Sequence, residues 1–252
     1  MSKVYFVGAG PGDPDLITLK GRQLLDKADV VIYAGSLVNP SLLDGLRARI
    51  YDSARMTLDE IVDVIRKALE QGKLVVRLHT GDTAFYSAIS EQIEKLKKMG
   101  IDSEVIPGVS SASAAAATLK QELTIPEISQ TVIFTRLEGK TPVPEKERLK
   151  DLASHETTMV IFLSTSMIDR VKDELISGGY PEETPVVVVY RASWPDERII
   201  RGTLKDIADK VKTAGIRKTA LIMVGEALQA SEIFTGKQSR LYSRSFSHEY
   251  RK

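Results

Sequence analysis

Short runs of β-branched and other apolar residues alternate with helical patterns along the chain. Ten of these runs have the length and composition of strands. They are Val4–Val7, Val30–Tyr33, Arg49–Asp52, Leu74–Leu78, Glu104–Ile106, Thr131–Thr135, Met159–Leu163, Val186–Tyr190, Ile199–Gly202 and Ala220–Val224. Strands that alternate with helices are joined by crossover connections, which favour a largely parallel sheet. The pattern therefore predicts an α/β fold.

A segment of loop composition, Lys120–Gln130, separates the first five predicted strands from the last five. At roughly 150 residues per domain, a chain of 252 residues forms one large domain or two small ones. We predict two α/β lobes, residues 1–118 and 129–230, joined by a linker over 119–128 and followed by a basic tail over 231–252.

The charge balance and the absence of cysteine exclude several classes of protein. The chain has 35 Lys and Arg against 34 Asp and Glu, and its basic residues are not clustered, so we expect no nucleic-acid partner. Without cysteine, disulfide frameworks, thiol nucleophiles and iron–sulfur clusters are excluded. The three histidines have no metal-ligand partner at helical spacing, so we predict no metal site. No secretory signal or apolar run of about 18 residues occurs, and we expect a cytoplasmic protein that does not cross a membrane.

Ligands of open α/β sheets bind where strands end, so the residues after each strand are the first place to search. The first strand is followed by the glycine-rich turn Gly8–Pro14. It shares only its first two glycines with a dinucleotide-binding turn, because Asp13 occupies the third glycine position and Pro11 lacks an amide donor. The turn therefore disfavours a nicotinamide-dependent oxidoreductase, although that function remains an alternative. A tight turn without a ligand is the other interpretation.

The fourth strand is followed by His79–Thr83. Gly81 allows a ligand to approach the backbone, and the Asp82 carboxylate can accept hydrogen bonds from a ribose or an ammonium group. Alternatively, Asp82 caps a helix over residues 83–99.

Two further loops have residues suited to a ligand. After the fifth strand, Ser110 is a predicted helix N-cap within a run of small side chains that allows close approach by a helix or a flat ligand. In the second half of the chain, Trp194 lies close to Arg191. Together they offer a stacking face and a cation for a flat polyanion, or else Trp194 anchors its loop to the core.

Taken together, these segments resemble a known family. Its members are the tetrapyrrole (precorrin) methylases, and the resemblance covers almost the whole chain. It rests on Gly8–Asp13, Val76–Asp82, Ile106–Ser111 with the alanines that follow, Thr184–Ala192 and Thr219–Gly225. A second set of segments resembles a branch of this family that acts in cobalamin biosynthesis. It comprises Tyr33–Asn39, Glu122–Glu127, Ser129–Thr131, Ser193–Glu197 and Ser247–Tyr250.

The resemblance implies a class III S-adenosylmethionine methyltransferase whose active site lies in a cleft between two α/β domains. It implies S-adenosylmethionine as methyl donor, S-adenosylhomocysteine as product and a homodimer. Carried over by position, the donor contacts fall on Pro11, Thr80, Gly81, Asp82, Phe85, Ser110, Ser111, Leu163, Ala192 and Ala220. The implied acceptor is a tetrapyrrole precursor with acetate and propionate groups. Candidates to bind these groups are Arg55, Arg77, His79, Arg136 and Arg191.

Three positions depart from the family pattern. Thr83 replaces a usual proline and Ser87 replaces a usual glycine. Uroporphyrinogen-III methylases have an aspartate, thought to act as a base, at the position of Ala34, so no catalytic base is assigned here. The alternatives are a methylase of the same fold acting at another corrin position, a diphthine synthase, an oxidoreductase and a binding module without activity.

Overall fold

A computed structural model describes residues 3–229 and residue 247, and the chain divides into two compact units. The first unit comprises the chain up to Ala115 together with Arg191–Glu197, and the second comprises Ala116–Tyr190 and the chain from Arg198 onwards. Apart from Ser247, the predicted basic tail over 231–252 lies outside the described residues.

The first unit contains a five-stranded parallel sheet in the order β3-β2-β4-β1-β5. Its strands are β1 (Lys3–Gly8), β2 (Val30–Tyr33), β3 (Arg49–Asp52), β4 (Val75–His79) and β5 (Asp102–Ile106). The central strands β1 and β4 are largely buried and mostly apolar, as expected for parallel strands covered on both faces. Because all five strands are parallel, their carboxyl ends lie along one edge of the sheet.

Helices α1 (Leu19–Lys27), α2 (Leu58–Glu70) and α3 (Ile89–Lys98) follow β1, β3 and β4. Two apolar clusters pack on the sheet: one includes Phe6, Ile65 of α2 and Leu96 of α3, and the other includes Val7 and Leu25 of α1. A capping box formed by Thr57 and Glu60 begins α2. Helix α4 (Ser111–Thr118) follows β5.

The second unit contains a mixed sheet in the order β6-β7-β10-β8-β9. Its strands are β6 (Val132–Arg136), β7 (Thr158–Phe162), β8 (Pro185–Tyr190), β9 (Arg198–Thr203) and β10 (Ala220–Val224). Helices α5 (Leu149–Ala153), α6 (Ile168–Gly178) and α7 (Ile207–Thr213) contribute to its apolar core.

The prediction of a largely parallel sheet is wrong for the second unit. Only β6 and β7 are parallel, and the other three neighbouring pairs are antiparallel. The physical reason is that Arg191–Glu197 joins β8 to β9 without a helix, so that the two strands form a hairpin. Strand β10 then lies antiparallel between β7 and β8.

All ten predicted strands are present, and each end lies within two residues of its predicted position. The predicted helix over 83–99 is wrong in its first third, because residues 80–88 form a loop and α3 begins at Ile89. In the part of the chain that is described, no helix combines the length and apolar character needed to span a bilayer.

Candidate functional site

Three glycines bring the loops after β1, β4 and β5 into backbone contact. A Cβ atom at Gly8 would lie 2.7 Å from the Cα atom of Gly108 and 2.8 Å from the carbonyl oxygen of Gly81. Gly81, whose φ is +62°, also exchanges two backbone hydrogen bonds with Gly10, at 2.8 and 3.2 Å. The three loops therefore meet at the carboxyl edge of the first sheet.

Asp82 joins two of these loops through its carboxylate. One oxygen, Oδ1, accepts a hydrogen bond of 2.6 Å from the backbone N–H of Ala84, and Oδ2 accepts one of 3.0 Å from that of Gly108. The alternative that Asp82 caps α3 is wrong, because the helix begins seven residues further on. Each oxygen can still accept another hydrogen bond, and the side chain is only partly buried.

The N-terminus of α4 lies beside Gly81. The Ser110 hydroxyl accepts a hydrogen bond of 3.2 Å from the N–H of Ala112, which confirms Ser110 as the N-cap. A Cβ atom at Gly81 would meet nothing nearer than the backbone nitrogen of Ser111, at 3.9 Å. Gly81 is therefore buried within ordinary contact distance of the positive end of a helix.

The loop Arg191–Glu197 packs on the glycine-rich turn within the first unit. The indole N–H of Trp194 donates a hydrogen bond of 2.9 Å to the Pro11 carbonyl oxygen. The Ser193 hydroxyl accepts one of 3.0 Å from the N–H of Asp13. A Cβ atom at Gly12 would overlap the indole ring, so only glycine allows this contact.

The structure supports the anchoring role of Trp194. One face of its ring is already covered by the guanidinium group of Arg191, which lies 4.4 Å from the ring centroid. That guanidinium also forms an ion pair of 2.7 Å with Asp196. Ala192, a predicted donor contact, lies buried in the same loop.

In the second unit, Leu163 and Ala220 lie at one edge of the sheet. Ile222 of β10 pairs with Ile161 of β7, so the antiparallel register places Ala220 level with Leu163. The Leu163 side chain is 67% exposed, and its φ is +56°. A left-handed leucine is strained, and such residues concentrate at functional sites.

Backbone strain marks several of the predicted donor positions. Of the nine non-glycine residues with a left-handed backbone in the described chain, five coincide with or adjoin a predicted donor contact. They are Tyr86, Leu163, Arg191, Ser193 and Thr219. Strain of this kind persists only where the surrounding structure holds it, which supports a role for these loops.

Comparison with known proteins identifies the family. Residues 3–208 match the family described as Tetrapyrrole (Corrin/Porphyrin) Methylases. The chain belongs to this family. The resemblance detected in the sequence is thereby confirmed, together with the α/β fold of the methylases, which has two sheets.

Three relatives are informative for this methylase. A cobalt-precorrin-4 C(11)-methyltransferase of Methanocaldococcus jannaschii is 64% identical over 252 residues, covering 99% of this chain and 96% of that protein. The X-ray structure of a cobalt-precorrin-4 methyltransferase is 53% identical, with a TM-score of 0.88 over 90% of this chain and 96% of that one. A uroporphyrin-III C-methyltransferase from Thermus thermophilus, complexed with S-adenosylhomocysteine, is 28% identical, with a TM-score of 0.77 over 90% of this chain and 94% of that one.

The predicted substrate-binding residues of the methylase differ from one another in burial and in the contacts that they make. Arg55 is exposed, whereas Arg77 and His79 belong to β4 of the first sheet and are each only 5% exposed. Arg191 stacks on its own loop, and the Arg136 guanidinium donates to backbone carbonyl oxygens, including that of Pro142 at 2.7 Å. Four of these side chains belong to the first unit and Arg136 belongs to the second, and their role stays a prediction.

Burial controls the ionisation of two of these side chains. Burial lowers the pKa of Arg77 to about 10. Burial, together with the charge of Arg77, lowers the pKa of His79 to about 3, so the imidazole is neutral near pH 7. The Nε2 atom of His79 is buried without a hydrogen-bond partner.

Two polar side chains that the sequence analysis missed also contribute to the edge of the first sheet. Asn39 donates a hydrogen bond of 2.8 Å to the Gly12 carbonyl oxygen. Asp52, the last residue of β3, accepts one of 2.9 Å from the N–H of Gly35, directly after Ala34. For Asp52 the available signal was its position at the end of β3, and for Asn39 it was the Asn-Pro pair that begins a short helical turn. Among the described residues, no group of three or more acidic or histidine side chains is arranged to hold a metal ion.

Proposed function

We propose that this methylase transfers the methyl group of S-adenosylmethionine to C11 of cobalt-precorrin-4 or of metal-free precorrin-4. The observation that carries the proposal is the high identity, over almost the whole chain, to a methyltransferase with that name. The solved structure of a cobalt-precorrin-4 methyltransferase also shares the fold.

The edge of the first sheet fits a donor of this kind. Gly81 lies beside the N-terminus of α4, while Gly8 and Gly108 are packed too tightly to carry side chains. The fixed carboxylate of Asp82 can accept a hydrogen bond from a ribose hydroxyl or an ammonium group. The Thermus relative, which has the same fold, carries S-adenosylhomocysteine.

The proposed donor contacts of the first unit are Pro11, Thr80, Gly81, Asp82, Phe85, Ser110, Ser111 and Ala192. Those of the second unit are Leu163 and Ala220. When bound, the sulfonium of the donor supplies an already activated methyl group. The chain therefore has to hold the donor, orient the acceptor and exclude water, and it needs no covalent nucleophile.

The acceptor carries acetate and propionate groups, which arginine binds well. Arg55 is exposed and Arg136 and Arg191 are half-buried, and all three are kept as proposed contacts to these groups. Arg77 and His79 are buried, so either would have to be uncovered before it could reach a carboxylate of the acceptor.

The deciding experiment incubates the purified protein with methyl-labelled S-adenosylmethionine and each acceptor separately. We expect transfer to cobalt-precorrin-4 or precorrin-4, with the new methyl group at C11 by NMR. A methyl group at another ring carbon would establish the alternative of a different corrin position. Transfer only to the modified histidine of an elongation factor would establish a diphthine synthase.

Two controls address the remaining alternatives. Membership of a methylase family argues against a nicotinamide-dependent oxidoreductase, and calorimetry with NADH should show no binding. Binding of S-adenosylhomocysteine without transfer to any acceptor would indicate a binding module.

We also propose a cytoplasmic homodimer, and light scattering after size exclusion tests the dimer.

A further inference from the structure

Arg77 is a buried cation whose partners are not acidic. Its Nε atom donates a hydrogen bond of 3.1 Å to Oε1 of Gln92, and its Nη1 atom donates one of 3.2 Å to the carbonyl oxygen of Ile32. No carboxylate in the described part of the chain forms an ion pair with it. A buried charge is costly to maintain without an ion-pair partner, so this arrangement calls for an explanation.

The arginine determines how the Gln92 amide is oriented. A guanidinium group only donates hydrogen bonds, so it must face the oxygen end of the amide. The nitrogen end then points away, and Nε2 donates a hydrogen bond of 3.0 Å to the carbonyl oxygen of Ala88. Gln92 is itself 5% exposed and lies in α3.

Ala88 is the point where the loop after β4 enters α3. It adopts a left-handed backbone with a φ of 50°, and no side chain caps the helix there. Tyr86, two residues earlier, has a φ of 55°. Residues with a Cβ atom rarely adopt this conformation, and they keep it only when neighbouring groups hold them.

The same loop carries the proposed donor contacts Thr80, Gly81, Asp82 and Phe85. One end continues from β4, which contains Arg77, and the other end is bound through Ala88 to Gln92. The Ser87 hydroxyl lies 3.2 Å from the carbonyl oxygens of both Asp82 and Phe85, so a hydrogen bond links the residue before Ala88 to the rest of the loop.

We propose that Arg77 and Gln92 are positioning residues for methyl-donor binding, and that their hydrogen bonds to each other and to Ala88 hold the loop 80–88 in its binding conformation. This inference rests on the proposed function only in naming the ligand. Neither side chain is required to touch the donor.

The central experiment uses Gln92→Glu. The carboxylate still accepts a hydrogen bond from Arg77 and adds an opposite charge, but it cannot donate to the Ala88 carbonyl oxygen. We expect a thermal midpoint close to that of the parent protein and amide hydrogen exchange over residues 80–88 that is faster in the absence of ligand. The dissociation constant for S-adenosylhomocysteine should rise about tenfold, the loss expected for one hydrogen bond.

Gln71→Glu provides the matched control. Gln71 is exposed at the end of α2, and the substitution adds the same charge without touching the loop. Its exchange and its dissociation constant should match those of the parent protein.

A second pair of variants separates positioning from general stability. Arg77→Lys keeps one charged donor that faces Gln92, whereas Arg77→Met has no donor. Both variants lack the guanidinium group and its several N–H donors. We expect the lysine variant to bind S-adenosylhomocysteine more tightly than the methionine variant at a similar thermal midpoint. If the two variants differ in affinity for S-adenosylhomocysteine only as much as they differ in thermal midpoint, the role of Arg77 is purely structural.

Two further results would overturn the inference. The first is parent-like exchange over residues 80–88 in Gln92→Glu, and the second is a parent-like dissociation constant in the same variant. If the parent protein itself binds neither S-adenosylmethionine nor S-adenosylhomocysteine, the proposed function fails, and hydrogen exchange alone then decides the inference.

Discussion

Replacing Gly8 with alanine tests whether the backbone contact between three loops holds the candidate site together. A Cβ atom there would lie 2.7 Å from Cα and N of Gly108 and 2.8 Å from the Gly81 carbonyl oxygen. All three atoms belong to the backbone, so no side-chain rotation relieves the overlap. Because non-bonded carbon atoms need about 3.5 Å, the loop after β5 must move by about 0.8 Å.

The expected cost has two parts. Overpacking a tight contact costs about 1–3 kcal/mol. The same movement strains the paired hydrogen bonds of Gly10 and Gly81, each worth about 1 kcal/mol. We expect Gly8→Ala to lower the free energy of unfolding by about 2–4 kcal/mol. Affinity for S-adenosylhomocysteine should fall at least about tenfold, because a displacement of this size disrupts the alignment of binding groups.

Urea unfolding followed by circular dichroism measures the first effect, and titration calorimetry measures the second. Gly139→Ala is the matched control, because a Cβ atom there first meets the flexible end of Met167, at 3.4 Å. An alanine variant of Gly8 within about 0.5 kcal/mol of the parent protein, with unchanged affinity, would refute the reasoning.

Four further predictions follow from single side chains. Asp82→Ala removes the acceptor for two backbone N–H groups and should weaken S-adenosylhomocysteine binding by about 1–3 kcal/mol, measured by calorimetry. Trp194→Phe keeps an aromatic ring but loses one hydrogen bond, which should lower the free energy of unfolding by about 1 kcal/mol in urea. Leu163→Gly relieves the strain of the left-handed backbone and should raise the free energy of unfolding by about 1 kcal/mol in urea. The same substitution removes the proposed side-chain contact to the donor and should weaken donor binding in calorimetry. The pKa of His79 is about 3 in the folded protein, below its unfolded value, so the unfolded state binds the proton first and stability falls as the pH drops below about 6. The contribution of His79 to the slope approaches 1.4 kcal/mol per pH unit, and urea titrations at several pH values should show a slope smaller by this amount in His79→Phe.

The strands were predictable because each is a short apolar run between turn residues, as in Val30–Tyr33 and Val186–Tyr190. Strand direction was not predictable in the second unit, since the composition of a run such as Ala220–Val224 does not distinguish parallel from antiparallel pairing. The start of α3 was also missed, because the left-handed Ala88 leaves no mark in the sequence.

The candidate site was predicted in part. Strand-end loops with small residues indicated Gly81 and Ser110, and the structure places both at the same edge of the first sheet. The burial of Arg77 was not foreseen, because an arginine near a strand end is usually accessible and its partner Gln92 is fifteen residues away. Contacts between distant segments, such as Trp194 with Pro11, leave no local signal in the sequence.

The first unit is built from two segments that are far apart in the sequence, and this affects the order in which the chain can fold. A nascent chain ending at residue 115 already contains all five strands of the first sheet. It still lacks Ser193 and Trp194, so the Asp13 N–H and the Pro11 carbonyl oxygen have no protein partner from that loop. Contacts between segments so far apart in sequence form slowly, and here they must wait for synthesis as well. The glycine-rich turn is therefore completed only after residue 197 has left the ribosome, which makes it one of the last parts of the first unit to mature.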